Sequence, residues 1–151
     1  MIFTLDHIVN SLAGVLKAQY PDYPVYANAN QQGTKYPCFF IFFMPSTIES
    51  HVDYHFYRDL GVDIVFVQQR NTIDGNSKLQ GIAEHLDEHL EIFAYSDGSG
   101  ETVWLRTYER QWQTEDQELH YQFHIRQRMA LSHTEIPMRE MEANNAGIKK
   151  E

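Results

Sequence analysis

The stretch that decides the fold is LHYQFHIRQRMAL, residues 119–131. Apolar and polar side chains alternate along it, which is the period of a β-strand with one buried face. A second strand is predicted from Val103 to Trp112, and the polar residues Thr114–Gln117 separate the two. Adjacent strands joined by a short turn predict a hairpin. The polar face of the last strand is expected to carry His120, Gln122, His124, Arg126 and Arg128.

Four shorter strands are predicted upstream of the hairpin. Val25-Tyr26 follows two prolines, and Cys38–Met44 is a run of apolar residues typical of a strand that is covered on both faces. His51–Tyr57 and Leu60–Phe66 each alternate. Arg58-Asp59 is either a turn between these two strands or the middle of one long bent strand.

A first amphipathic helix is predicted over residues 4–19, because apolar residues recur at helical spacing. Thr4 is a suitable N-cap and Asp6 suits the first turn. Tyr20-Pro21 is expected to end the helix, because the residue before proline avoids helical dihedral angles.

A second helix is predicted over residues 77–94. Ser77 followed by Gln80 matches a capping box. The apolar stripe of this helix is expected to contain Leu79, Ile82, Ala83, Leu86, Leu90 and Phe93.

The order of elements, α-β-β-β-β-α-β-β, predicts an α+β fold with a mixed or antiparallel sheet and two amphipathic helices packed on it. Residues 1–131 are expected to form a single domain. Residues 132–151 lose the pattern and are expected to be a flexible tail. The core is expected to include Leu12, Phe40, Ile64, Leu86 and Phe123.

Composition narrows the function. The chain has 151 residues, 42% of them hydrophobic, and a net charge of −9, which argues against a general nucleic-acid binder. The single cysteine, Cys38, lies among phenylalanines and is expected to be a buried thiol. The N-terminal residues do not resemble a signal peptide, and no stretch approaches the length of a membrane helix, so the cytoplasm is the expected place of synthesis.

The sharpest catalytic motif is His85-Leu86-Asp87-Glu88-His89, which fits the H-x-x-E-H pattern of inverted zinc peptidases. Histidines four apart share a helix face, so a small metalloenzyme is one hypothesis. No third ligand is evident, however, and the two histidines also suit the solvated face of the second helix. We therefore predict a protein with no catalytic residue, no metal and no cofactor.

Several segments carry a family resemblance. They are the block Gln32-Gly33 with Pro37-Cys38-Phe39-Phe40, the block His55-Phe56-Tyr57-Arg58 with Val62-Asp63-Ile64, the strand 119–123 and the segment Ile136-Pro137-Met138. Together these segments resemble tail terminator proteins of tailed phages and prophage-encoded phage-like elements. The resemblance covers most of residues 1–142.

That resemblance implies a structural role in the virion, at the head-proximal end of the tail, after assembly in the host cytoplasm. Such proteins form a ring, usually a hexamer, that caps the tail tube, stops its polymerisation and offers a docking surface to the head connector. DNA passes through the lumen without sequence-specific binding, and no membrane is involved. Another head–tail joining or head-completion component is the alternative.

The arginines of the predicted strands suggest an interface, because arginine is enriched at interfaces and pairs well with carboxylates. A DNA groove and an ordinary solvated sheet face remain alternatives. The candidates for a subunit or tube interface are Gln32, Gly33, Tyr57, Arg58, Arg126 and Arg128.

Overall fold

A computed structural model describes residues 3–28, 33–50, 55–70 and 72–130. The predicted tail, residues 132–151, lies outside these ranges. The described chain has the predicted α+β class, with one strand more than expected. Its elements are α1 (Leu5–Gln19), β1 (Val25–Tyr26), β2 (Cys38–Phe43), β3 (Thr47–Ser50), β4 (His55–Val67), α2 (Gly75–His89), β5 (Ile92–Ser96), β6 (Thr102–Glu115) and β7 (Glu118–Ala130).

The strands form one mixed sheet in the order β1-β2-β4-β7-β6-β5, with β3 attached to β4. Among the described strands only β1 and β2 run parallel, and the other pairs are antiparallel. β4 is the centre of the sheet. Along one edge it pairs with β7 over its full length, and along the other it pairs with β2 and then with β3.

The structure decides between the two interpretations of Arg58-Asp59. Both residues lie inside β4, where they pair with Gln127 and Arg126 of β7, so the chain makes one long strand here. β3 was not predicted, because the residues between the predicted strands Cys38–Met44 and His51–Tyr57 show no alternation of their own. Residues 51–54, at the start of the predicted strand 51–57, lie outside the described ranges.

β6 changes partner along its length. Its first part pairs with β5, and from Thr107 onward it pairs with β7, with a bulge between Tyr108 and Gln111. Glu109 inside the bulge has a φ of 52°, and such bulges bend a strand. The predicted hairpin β6–β7 is confirmed, and its turn is Asp116-Gln117, both at positive φ as a type I′ turn requires.

The prediction for α1 is confirmed. The Thr4 hydroxyl accepts a hydrogen bond of 3.2 Å from the backbone nitrogen of His7, and Tyr20 follows the last helical residue. Two hydrogen bonds fix the helix against β5: the Tyr95 hydroxyl accepts one from the backbone of Thr4, and the Ser11 hydroxyl accepts one from the backbone of Ser96.

The prediction for α2 was wrong at both ends. The helix begins at Gly75, after Asp74, so Ser77 lies inside it and is not the N-cap. It ends at His89, and Phe93 belongs to β5. Leu86, Leu90 and Phe93 fit helical spacing, but pairing of residues 92–96 with β6 overrides that local pattern.

Both helices cover the same face of the sheet, and the main core lies between them. Leu12, Ile64, Leu86 and Phe123 are buried there. Phe40 is also buried, but on the reverse face, in a small cluster with Cys38 and Val65. Neither described helix is long and apolar enough to cross a membrane.

Candidate assembly surface

The reverse face of the sheet is polar over much of its central strands, where most outward side chains are charged or carry a hydrogen-bonding group; Gly61 and Val65 of β4 are exceptions. The outward side chains of β3, β4, β6 and β7 together form the polar sheet face. Strand alternation places them on this face, since most of the residues between them are apolar and face the helices. Its central members are Glu49, Tyr57, Asp59, Asp63, Tyr108, His120, His124, Arg126 and Arg128.

Two histidines of β7 each lie between two carboxylates. His124 Nδ1 lies 3.0 Å from Asp59 Oδ1, and its Nε2 lies 3.9 Å from Glu109 Oε2. His120 Nδ1 lies 3.2 Å from Asp63 Oδ2, and its Nε2 lies 3.3 Å from a Glu118 oxygen. These contacts join β4 to its neighbours through side chains as well as through the backbone.

Tyr108 of β6 completes this network. Its hydroxyl donates a hydrogen bond to Asp59 Oδ2, and its ring lies 5.6 Å from the ring of His124. Burial raises the pKa of Tyr108 to about 12, together with the hydrogen bond to Asp59 and its charge. Asp59 therefore uses both carboxylate oxygens, and the three central strands form a braced platform rather than a loose solvated face.

Asp59, Tyr108 and Glu109 were not predicted from the sequence as partners of the histidines. A signal for part of the network was present, because Asp59 and Asp63 are four residues apart, as are His120 and His124. The equal spacing would let each aspartate of β4 pair with one histidine of β7. Which residues pair can be decided only when the register of the two strands is known.

Three of the predicted interface residues lie together at one end of the polar sheet face. Arg128 is directly opposite Tyr57 in the β4–β7 register. The guanidinium carbon of Arg126 lies 4.5 Å from the centroid of the Tyr57 ring, and Nη2 lies 3.5 Å from Glu49 Oε2. The Arg126 side chain is still 54% exposed, so this end presents an oriented and accessible guanidinium.

Arg58 does not belong to this surface, although the sequence grouped it with the other arginines. As the neighbour of Tyr57 it points to the opposite face, where Nη2 donates a 2.7 Å hydrogen bond to Gln127 and approaches the Phe3 carbonyl at 3.5 Å. Its Nε is buried without a hydrogen-bond partner among the described residues, and burial lowers its pKa. Its contacts are those of a residue that holds the fold together.

The loop candidates lie elsewhere. Gln32 falls outside the described residues. Gly33 is exposed, with a φ of 79°, in the loop that leads into β2. The first residue of β2, Cys38, pairs with Val67, roughly 33 Å along β4 from Tyr57 by strand rise. The structure therefore does not bring this loop entrance and the arginines to one end of the sheet.

Of the two H-x-x-E-H histidines, His89 is exposed as expected, but His85 is not fully on the solvated face. His85 is half-buried, with its ring 5.4 Å from the Tyr20 ring of α1, and its Nε2 is buried without a hydrogen-bond partner among described residues. The rings of His85 and His89 stack at 4.0 Å. Within the described ranges no group of three or more histidines, cysteines or acids is placed to hold a metal ion.

Fold and surface together define a small α+β domain whose sheet has one face covered by helices and a braced polar face open for contact. A family model described as phage tail terminator protein matches residues 7–137. The chain therefore belongs to the phage tail terminator family, which confirms the resemblance seen in the sequence. This is a family of structural proteins, and membership gives the chain a structural role in the phage tail. No curated protein sequence matches the chain.

Proposed function

We propose that the protein caps the tail tube as a ring, stops tube polymerisation and provides the docking surface for the head connector. The family match over residues 7–137 carries the proposal. The ring is a hexamer at the head-proximal end of the tail, and it assembles in the host cytoplasm. It acts by binding alone, with no metal, cofactor or catalytic residue.

A cap of this kind needs two different ends. One end of the ring must fit the tube, and the other must offer no site for a further tube subunit. A ring built from heterologous, head-to-tail contacts between identical chains has this property, because its two ends are not equivalent.

The polar sheet face is the surface we assign to assembly contacts, which centre on Tyr57, Arg126 and Arg128 at one end of it. A guanidinium held over an aromatic ring is oriented for a planar, bidentate contact with a carboxylate of a neighbouring chain. The loop 28–35 and the residues after Ser132 are further candidates for contacts with the tube or the connector, because loops on a rigid scaffold often carry binding.

The net charge of −9 supports passage of DNA through the lumen. Phosphates bind to basic stripes, and a protein with 21 acidic against 12 basic residues offers little general attraction to them. DNA can then pass through the ring without binding to its wall.

Deletion of the gene tests the proposal. We expect overlong tube polymers and unattached heads, because the end of an uncapped tube remains a template for the next subunit. Supplying the intact chain in trans should restore the tail length and head joining. Tails of normal length joined to heads in the deletion strain would contradict the assignment, and short or absent tubes would point to a tube or initiator component.

A further inference from the structure

Asp59 of β4 and Arg126 of β7 face each other on the polar sheet face, yet no ion pair between them is found in the described part of the chain. Opposite charges directly across an antiparallel pair are a favourable cross-strand combination. Here Asp59 Oδ1 lies 3.0 Å from His124 Nδ1 instead, and Asp59 Oδ2 accepts a hydrogen bond from the Tyr108 hydroxyl. Both oxygens of the carboxylate are therefore occupied by residues other than Arg126.

The side chains of Asp59 and Arg126 lean along the sheet in opposite directions. His124 precedes Arg126 by two residues on β7, so it is the next residue on the same face. The residue directly opposite His124 is Gly61, so no side chain across the strand competes with Asp59 for the imidazole. Arg126 leans the other way, onto the ring of Tyr57. The direct pair is bypassed because each partner makes a diagonal contact.

Tyr108 reaches Asp59 from the far side of β7. It is the register partner of His124 on β6, and the two rings lie 5.6 Å apart. Because β4 and β6 flank β7 on opposite sides, their backbones are two strand spacings apart, roughly 10 Å. The long tyrosine side chain bridges this gap, and its hydroxyl supplies the donor. Phenylalanine at this position would keep the ring but lose the hydrogen bond.

Arg126 is left with exposed contacts. Its guanidinium lies over the Tyr57 ring, and its Nη2 lies 3.5 Å from Glu49 Oε2. The side chains of Arg126 and Glu49 are 54% and 67% exposed, whereas that of Asp59 is 36% exposed. An ion pair in water contributes little, so a carboxylate of another chain can replace Glu49. Asp59 would be harder to displace, because the strand register fixes it directly opposite Arg126.

We propose that Tyr108 and His124 are positioning residues of the polar sheet face. By occupying both carboxylate oxygens of Asp59, they withhold from Arg126 the counter-ion that faces it across the sheet. The Arg126 guanidinium then stays available to a carboxylate of a neighbouring copy. This inference rests on the proposed function, in which a neighbouring chain binds Arg126, and it adds the residues that keep that arginine from being neutralised within its own chain.

Removal of the Tyr108 hydroxyl tests the proposal. Tyr108→Phe keeps the ring beside His124 but frees one oxygen of Asp59 to pair with Arg126. We expect self-association of the full chain to weaken by roughly 2–5-fold per contact, because an exposed ion pair of that strength must first be broken. Asp59→Asn removes the competing charge, so Tyr108→Phe combined with Asp59→Asn should associate as tightly as the wild type. Native mass spectrometry over a dilution series measures the association of each variant.

The rescue by Asp59→Asn separates a positioning role from a purely structural one. If the network only braced the strands, removing the carboxylate as well as the hydroxyl would weaken association further. Association of Tyr108→Phe that equals the wild type, or a loss that Asp59→Asn does not restore, overturns the proposal. Urea unfolding verifies that every variant compared is folded.

A double-mutant cycle tests the withheld ion pair without any assembly. In the wild-type background, Asp59→Asn and Arg126→Gln should change the unfolding equilibrium constant independently of each other. In the Tyr108→Phe background the two changes should be coupled by roughly 2–5-fold, because the pair has then formed. Independent effects in both backgrounds overturn the proposal even when rings form. A wild-type chain that forms no closed oligomer, alone or on tubes, would instead overturn the proposed function, and coupling confined to Tyr108→Phe would still support the withheld pair.

Discussion

The guanidinium of Arg126 rests on the ring of Tyr57, two residues along β4 from Asp59, which faces Arg126 in the β4–β7 register. The stack holds a long side chain in one orientation while half of it stays in water. An exposed cation–π contact contributes about 0.5–1 kcal/mol to the folded state, and an exposed ion pair such as Arg126–Glu49 contributes a similar amount or less. The arrangement stabilises the domain only slightly, and we propose that it serves to present the charge to a neighbouring chain.

The first prediction concerns this pair of arginines. Arg126→Glu combined with Arg128→Glu should weaken assembly while lowering the free energy of unfolding by only about 1 kcal/mol. Both side chains lie on the polar sheet face, so the core between helices and sheet is untouched. Native mass and tail length measure assembly, and urea unfolding measures stability. Normal mass together with normal tails would show that this end of the sheet is not an interface.

Arg126→Lys with Arg128→Lys is the matched control for charge. Lysine keeps the positive charge but lacks the planar fork that binds a carboxylate with two hydrogen bonds. Assembly that tolerates lysine would indicate that charge alone matters. Loss of assembly with lysine would indicate a bidentate contact.

The second prediction separates Arg58 from the other arginines. Arg58→Met should lower the free energy of unfolding by about 1–3 kcal/mol, because it removes the charged partner of the largely buried Gln127. Assembly of the protein that remains folded should be normal. Urea denaturation and native mass measure the two effects. Unchanged stability combined with lost assembly would mean that Arg58 acts at an interface after all.

Much of the fold follows from the sequence because its strongest patterns are long. Thirteen residues of alternation are enough to identify β7, and the stripe of α1 comes with a proline stop and an N-cap. The end of α2 could not be predicted in this way. Residues 90–93 fit helical spacing and strand alternation equally well. Pairing with β6, a tertiary interaction that the local sequence pattern does not encode, decides between helix and strand.

The candidate surface was predicted only in part, for a similar reason. Neighbouring residues in a strand point to opposite faces, so Tyr57 and Arg58 separate as soon as β4 is known to be one continuous strand. The partners of His120 and His124 depend on the register between strands that lie more than 50 residues apart in sequence. No local pattern encodes that register.

The third prediction concerns His85, which the sequence placed on a solvated face. Burial lowers the pKa of His85, and the nearby His89 lowers it further. The folded chain therefore excludes a proton that the unfolded chain accepts, so this residue costs stability as the pH falls below its ordinary value of about 6.5. His85→Leu, which keeps an apolar contact with Tyr20, should make stability fall less steeply between pH 7 and pH 5. Parallel pH curves for the variant and the wild type would contradict this.

The fourth prediction concerns the tether between α2 and β7. The Tyr121 hydroxyl donates a 2.7 Å hydrogen bond to Asp87, and burial, followed by that bond, raises the pKa of Tyr121. Tyr121→Phe should lower the free energy of unfolding by about 1 kcal/mol, because it leaves the aromatic packing in place and removes one hydrogen bond. Asp87→Asn, which still accepts that bond, should cost less. A Tyr121→Phe chain as stable as the wild type would show that the tether contributes nothing.

The last prediction concerns the thiol of Cys38, which is 0% exposed in the small cluster on the reverse face. Only the thiolate reacts with disulfide reagents, so burial protects this residue twice, by excluding the reagent and by raising the pKa to about 11, with the charge of Glu118 adding to the effect. Labelling of the native chain at pH 8 should be roughly 1,000-fold slower than labelling in urea, because a reaction that requires unfolding is slowed by the unfolding equilibrium.

The folded chain also holds the thiol proton of Cys38 more tightly than the unfolded chain does. Its contribution to stability is therefore complete below about pH 9 and is lost as the pH rises toward 11, and Cys38→Ala should make that alkaline loss shallower. Rapid labelling of the native protein would show that the cluster opens, and such a thiol would have to be considered reactive rather than structural.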